Sequence, residues 1–151
     1  MTTMRLALIF FAALASTARA QEMDSRWIAD SSGCHFWDPA PLPDETVRWS
    51  GRCAGGFAEG HGTLTWFSHG TLYETDVADF AHGKLNGHGS LHFTSGQSFD
   101  GQFRDQRPNG KGTLRTNYGE VFSGTWTEGC YWDGKRRAQY NAGPGGCNFS
   151  S

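Results

Sequence analysis

The sequence repeats itself at an interval of about 23 residues between Trp49 and Trp126. A Gly-x-Gly-x-Leu motif (with Thr or Ser before Leu) occurs three times, at residues 60–64, 87–91 and 110–114. An aromatic-x-Gly motif opens three further segments, at residues 49–53, 99–103 and 122–126. A fixed period of this length indicates a stacked array in which each unit buries its apolar face only against its neighbours.

One unit of the array shows how its strands are built. Side chains alternate between the two faces of a strand, so Phe99, Gly101 and Phe103 share one face. The glycine between the two rings leaves room for a ring from the next hairpin to lie against the backbone. On the return strand, Gly112 and Leu114 face the same way. Each unit is therefore predicted to be a β-hairpin with one apolar and one polar face.

Turn residues separate the predicted strands. Arg107-Pro108-Asn109-Gly110 carries an Asn-Gly pair suited to positive φ and predicts the turn between the two strands of this unit. Tyr118-Gly119 predicts the turn into the next unit. The 21 glycines argue against helix, so consecutive hairpins are expected to continue one meandering antiparallel sheet.

This pattern resembles the MORN repeat family. The aromatic-x-Gly-x-aromatic strand, the turn and the Gly-x-Gly-x-Leu return strand carry the resemblance over residues 47–134, as about three units and a degenerate fourth. It implies an all-β fold: an elongated, slightly curved single-layer antiparallel sheet of stacked hairpins that acts as a scaffold or binding surface. Lipid binding has also been proposed for some members. Nothing in the family's motif is catalytic, so the resemblance implies no catalytic residue.

The first 20 residues have the pattern of a secretory signal peptide. Arg5 precedes an uncharged apolar run over residues 6–15, and Ala18-Arg19-Ala20 supplies small residues for cleavage before Gln21. A membrane anchor is the alternative, but the apolar run is too short to span a bilayer. The expected organisation is a signal peptide at 1–20, an N-terminal cap and Pro-rich linker at 21–46, the repeats at 47–134 and a C-terminal cap or tail at 135–151. The expected location is secreted or periplasmic.

The net charge limits the classes of partner that this chain is expected to bind. Removing residues 1–20 removes Arg5 and Arg19 and no acid, which changes the formal charge from −2 to −4 for a mature chain of 131 residues. An acidic chain gains nothing from counterion release on nucleic acid and is repelled by anionic lipid. We therefore expect neither nucleic acid nor a membrane span, and a protein or peptide partner, with a glycan as a further candidate.

All four cysteines lie in the exported part of the chain, which predicts two disulfides. Three connectivities are possible. The repeat favours Cys34–Cys53 and Cys130–Cys147, which would staple each flank onto the nearest end of the array. A zinc site is the alternative, but no Cys or His pair has ligand spacing.

The second unit departs from the pattern. From Leu64 to Phe80 it is four residues longer than the matching span in the next unit, and Asp76 stands where the neighbouring units have Phe99 and Phe122. A carboxylate that faces an apolar layer costs free energy unless it is ion-paired or hydrated. Two interpretations follow. A bulge or longer loop swings Asp76 into solvent, or Glu74, Asp76 and Asp79 form an acidic notch that selects a basic partner or a cation.

The preferred hypothesis is a non-catalytic scaffold or binding module with an aromatic groove beside this notch. The predicted groove residues are all aromatic: Trp49, Trp66, Phe93, Phe99, Phe103, Phe122 and Trp126. A purely structural assembly protein is the alternative, and a small hydrolase or metal-dependent enzyme is disfavoured. No Gly-x-Ser-x-Gly elbow occurs, and the expected histidine spacing across the sheet is too wide for one metal ion, so no cofactor is expected. Solvent exposure of these rings would favour the binding module, whereas burial would favour the structural assembly protein.

Overall fold

A computed structural model describes residues 26–149 of the chain. The predicted signal peptide at residues 1–20 lies outside the described residues. Within them the structure is all-β, as predicted, and consists of strands, turns and irregular segments. No helix among residues 26–149 has the length and hydropathy needed to cross a membrane.

The strands are numbered in chain order. Three short strands and one of five residues precede the array: β1 Trp27–Ala29, β2 His35–Trp37, β3 Glu45–Trp49 and β4 Arg52–Ala54. The array strands are β5 Phe57–Ser68, β6 Thr71–Ala81, β7 Lys84–Phe93, β8 Ser98–Arg104, β9 Arg107–Arg115 and β10 Val121–Thr127. Two short strands follow: β11 Cys130–Trp132 and β12 Arg137–Gln139.

Consecutive hairpins form one meandering sheet, which confirms the predicted architecture. From β5 to β12 each strand pairs antiparallel with the next one in sequence. The long strand β5 has two neighbours along each side: β3 and β4 on one, and β6 and β2 on the other. The β2–β5 contact is parallel and consists of His35 beside Phe57.

Two rows of side chains run across the inner face of the sheet, at right angles to the strands. One row holds large side chains and one carboxylate: Leu64, Asp76, Leu91, Phe99, Leu114 and Phe122. The adjacent row holds residues with little or no side chain: Gly62, Ala78, Gly89, Gly101, Gly112 and Gly124. Aromatic rings lie over the second row. At Gly112, for example, an added Cβ atom would lie only 2.6 Å from Phe99 Cζ. The predicted pairing of glycine with aromatic rings is confirmed.

One predicted turn is wrong. Asn109 and Gly110 lie inside β9, and the chain reverses four residues earlier, at Asp105 and Gln106, which have φ values of 46° and 73°. Gly110 lies where the β8–β9 register shifts and has a φ of 123°. Glycine is therefore needed here for a bulge within the strand and not for a turn. The turn predicted at Tyr118-Gly119 is found between β9 and β10.

The disulfides join Cys34 to Cys53 and Cys130 to Cys147, the pairing favoured from the sequence. They tie the flanks to the interior of the sheet rather than to its outermost strands, since β1 and β12 lie beyond them. The N-terminal flank packs Phe36 against the rings of Trp49 and Phe80. In the C-terminal tail, the Tyr140 ring stacks on Phe99 with centroids 5.3 Å apart. Both flanks therefore cover the inner face.

Candidate functional site

The aromatic rings predicted to line a groove are mostly core residues. Five of the seven are 8% exposed or less: Trp66, Phe99, Phe103, Phe122 and Trp126. Trp49 and Phe93 are partly buried. The prediction of an open aromatic groove is therefore corrected. The rings pack on one another and on the second inner-face row, hereafter the glycine row, and the two flanks cover them.

Asp76 is buried at 3% exposure, so the interpretation that placed it in solvent is wrong. It lies in the inner-face row between Leu64 on β5 and Leu91 on β7. Its Oδ2 accepts a hydrogen bond of 2.8 Å from the Trp66 indole Nε1. The extra residues of the second unit therefore lengthen a strand and keep the carboxylate inside.

The predicted acidic notch is divided between the two faces of the sheet. Glu74 and Asp76 share the inner face because they are two residues apart on β6. Asp79 has the opposite parity and lies on the outer face, where its Oδ1 is 2.8 Å from His61 Nδ1 and its Oδ2 accepts from the backbone N–H of His88. The inclusion of Asp79 in the notch is therefore corrected.

A β-bulge shapes the strand beside these carboxyls. Trp66 pairs with Glu74, whereas the next residue, Phe67, pairs with Leu72, so Tyr73 is the extra residue of β6. The Tyr73 hydroxyl donates a short hydrogen bond to Glu45 Oε1 on β3. Bulges often re-aim side chains at functional sites. Here the bulge sets Tyr73 and Glu74 beside the N-terminal flank.

The inner-face carboxyls open into a cavity of about 390 Å³, hereafter the acidic–aromatic pocket. Its floor is the sheet, with Trp66 from β5, Glu74 and Asp76 from β6, and Leu91 and Phe93 from β7. The N-terminal flank forms one wall through residues 38–40 and Leu42, and the C-terminal tail forms the other through Tyr140 and Asn141. Leu42 is 44% exposed at the pocket's margin.

Two oxygen atoms in this pocket are buried without a partner. Asp38 Oδ1 accepts from the backbone N–H of Ala40, but Asp38 Oδ2 has no hydrogen bond. Asp76 Oδ1 is likewise unpartnered, although its Oδ2 is bonded to Trp66. Among residues 26–149, no ion pair reaches Asp38, Glu74 or Asp76. An unsatisfied buried oxygen is expensive, so its retention points to a ligand or a proton.

Burial and like charge raise the pKa values of these carboxyls. Desolvation is the largest cause at each, and it raises the pKa of Asp38 to about 7, with Glu45 adding to the shift. Desolvation and the neighbouring Asp76 raise the pKa of Glu74 well above its usual range. Desolvation raises the pKa of Asp76, although the hydrogen bond from Trp66 and the neighbouring Glu74 carboxyl act to lower it. Near neutral pH the unliganded pocket therefore retains protons.

Sequence reasoning missed the residues that complete the pocket. Asp38 and Tyr140 lie in the flanks, Glu45 opens β3, and Tyr73 is the extra residue of β6, which matches no position of the motif. The one available signal was the irregular second unit, which identified Glu74 and Asp76. Nothing in the repeat indicates where the flanks return to the sheet.

The outer face carries exposed polar pairs. His61 pairs with Asp79, and His88 Nε2 lies 3.5 Å from Asp100 Oδ1. On the neighbouring strands Thr113 Oγ1 and Ser123 Oγ are 2.8 Å apart. Within the described part of the chain, no three His, Cys, Asp or Glu side chains are arranged to hold one metal ion.

The model of the MORN repeat matches residues 54–71, 78–98 and 99–117. No curated protein matches the chain. Residues 72–77, which contain Tyr73, Glu74 and Asp76, fall between the first and second matches, so the pocket carboxyls of β6 stand outside the repeat pattern. Three tandem matches support a relation between the central sheet of this chain and the MORN repeat family.

Proposed function

We propose that this chain is an exported, non-catalytic binding module whose ligand site is the acidic–aromatic pocket. MORN repeats commonly serve as binding or scaffold modules, which supports the non-catalytic role. The single observation that carries the proposal is the pair of unpartnered oxygens, Asp38 Oδ2 and Asp76 Oδ1, buried against a cavity. Buried polar groups are normally satisfied, and a bound ligand satisfies them.

The pocket is built where the repeated strand geometry is interrupted. The repeat supplies the floor, and the bulge at Tyr73 shifts the register of β6 against β5 beside the pocket. Two disulfides hold those flanks against the sheet. Disulfides persist in oxidising compartments, and together with the expected signal peptide they support a secreted or periplasmic location.

The proposed partner is a protein or peptide that inserts a side chain between the flanks. A pocket of about 390 Å³ lies within the usual range for small ligands and is lined by Trp66, Phe93 and Tyr140. Aromatic walls with a few convergent polar groups are typical of such sites. A glycan remains a second ligand class under the same test.

Capture from the exported fraction tests the proposal. Oxidised mature protein, its Asp76→Leu variant and its Asp79→Asn variant are immobilised and exposed to the same exported proteins and peptides. Asp79 is the matched control because it lies on the same strand but on the outer face. We expect ligands retained by the first and third proteins and lost by the second. Equal retention by all three would show that the pocket is not the site.

A purely structural role is the second candidate, because packing within the chain consumes most of the inner-face rings. It predicts self-assembly through the outer face or the sheet edges. Light scattering of the oxidised protein over a concentration series measures this directly. A monomer at all concentrations would remove this candidate.

A further inference from the structure

We propose that the acidic–aromatic pocket recognises an alkylammonium group, of the type carried by a lysine side chain of the partner. This inference rests on the proposed function and names the ligand class of the same site. When ionised, the carboxyls of Asp38, Glu74 and Asp76 can only accept hydrogen bonds, and two of their oxygens are unpartnered. An ammonium group is a compact cation with three hydrogen-bond donors.

The charges around the pocket favour a cation. The titratable groups that face Glu74 and Asp76 are Asp38 from the N-terminal flank, Glu45 from β3, Tyr73 from β6 and Tyr140 from the C-terminal tail. All of them are acidic or neutral at pH 7. The floor residues from β5 and β7 are Trp66, Leu91 and Phe93, which carry no charge. The ligand is therefore the expected source of positive charge.

The remaining walls suit the carbon chain of such a ligand. Leu42, Leu85, Leu91 and Phe93 supply apolar surface beside the carboxyls. Trp66 and Tyr140 add aromatic rings, which attract cations and pack against methylene groups. A bare metal ion fits less well, because no three-ligand arrangement exists among residues 26–149 and the cavity is much larger than an ion.

Proton exchange accompanies binding under this proposal. In the unliganded protein, protons held among the carboxyls relieve the repulsion between Glu74 and Asp76. When an ammonium group binds, its positive charge relieves this repulsion instead, and the proton that it displaces passes to solvent. Binding therefore releases protons near neutral pH, and affinity falls as the pH is lowered.

Two matched small compounds test the ligand class. Nα-acetyl-lysine amide and Nα-acetyl-norleucine amide share an aliphatic arm of four carbons, but only the first ends in an ammonium. Titration into oxidised mature protein is followed by tryptophan fluorescence and by calorimetry in phosphate and Tris buffers. We expect the lysine compound to bind at least tenfold more tightly than the norleucine compound, with proton release revealed by a buffer-dependent heat.

Variants separate the pocket from the rest of the surface. Asp76→Asn and Glu74→Gln should each weaken the lysine compound at least tenfold, whereas Asp79→Asn should leave its affinity unchanged. Asn and Gln keep the side-chain size, and a circular dichroism melt verifies that each variant is folded. Equal affinity for the two compounds, or lysine binding unaffected by Asp76→Asn and Glu74→Gln, would overturn the inference.

Failure of the inference and failure of the proposed function give different results. If exported ligands are retained through the pocket but neither small compound shows a preference for the ammonium, the ligand class is wrong and the binding module stands. If Asp76→Leu retains every exported ligand and the lysine compound does not bind, both proposals fail.

Discussion

The indole nitrogen of Trp66 donates a 2.8 Å hydrogen bond to Oδ2 of Asp76, the single carboxylate in an otherwise apolar row of side chains. Both residues are buried, at 5% and 3% exposure. The bond satisfies one carboxyl oxygen and leaves the other, Oδ1, without a partner in a residue that lines the acidic–aromatic pocket. Trp66 therefore holds Asp76 in place without neutralising it.

Trp66→Phe should show how much the buried Asp76 carboxyl destabilises the fold when its hydrogen bond is lost. The change keeps a large ring but removes the donor, so Oδ2 of Asp76 loses its partner and neither carboxyl oxygen is then hydrogen-bonded. We expect a loss of about 1–3 kcal/mol in the free energy of unfolding at pH 7, measured by urea denaturation. In an Asp76→Leu background the same substitution should cost less, because no carboxyl remains to be left unsatisfied. Equal losses in the two backgrounds would show that the hydrogen bond contributes nothing.

The second disulfide should control the tail that forms one wall of the pocket. Tyr140 stacks on Phe99, and its backbone N–H donates to the Gly129 carbonyl, one residue before Cys130. Replacing Cys130 and Cys147 by Ser should lower stability by roughly 3 kcal/mol, as expected for a loop of this length. It should also speed hydrogen exchange at the Tyr140 amide. Replacing Cys34 and Cys53 is the control, and equal acceleration at Tyr140 in both variants would contradict a local effect.

The alternation of side chains made the sheet predictable. Phe99, Gly101 and Phe103 have the inward parity expected from sequence, and Asp76 aligns with Phe99 and Phe122 across the sheet as predicted. These relations depend on strand geometry and a constant period, both of which are local properties.

The pocket was less predictable because its walls come from outside the repeat. Asp38 and Tyr140 reach it through irregular segments whose return paths depend on tertiary packing and on the disulfides. The turn at Asp105 and Gln106 was missed because these residues lack the Asn-Gly signal. Both nevertheless adopt the positive φ that suits a two-residue hairpin loop between Arg104 and Arg107.

Stability of the unliganded protein should depend on pH through the pocket carboxyls. Their pKa values are raised in the folded state, and that of Asp38 reaches about 7. A raised carboxyl pKa favours folding below the unfolded value, near 4, and this contribution is lost as the pH rises through the folded value. We therefore expect the free energy of unfolding to fall between about pH 5 and pH 8, by more than about 1 kcal/mol.

Glu74→Gln isolates this effect from other titrating groups. The variant should show a flatter stability profile than the parent protein in urea denaturation at pH 5, 6, 7 and 8. Glu120→Gln, which removes an exposed carboxyl next to the start of β10, should leave the slope unchanged. Parallel profiles for the parent protein and Glu74→Gln would mean that Glu74 does not take part in the pocket's protonation.

The glycine row should tolerate no side chain at its centre. A Cβ on Gly101 would lie 2.5 Å from Gly112 Cα and 2.6 Å from the Lys111 carbonyl oxygen, both of which are backbone atoms. Backbone on a paired strand moves only by breaking ladder hydrogen bonds, so Gly101→Ala should cost about 3 kcal/mol, at the upper end of overpacking effects. Gly119→Ala is the matched control: no atom lies within 4 Å, but its φ of 87° leaves a conformational cost of about 1–2 kcal/mol. Thermal and urea denaturation of both variants should rank Gly101→Ala as the less stable. The reverse order would mean that β8 and β9 separate easily, and that the close approach of their backbones does not hold the array together.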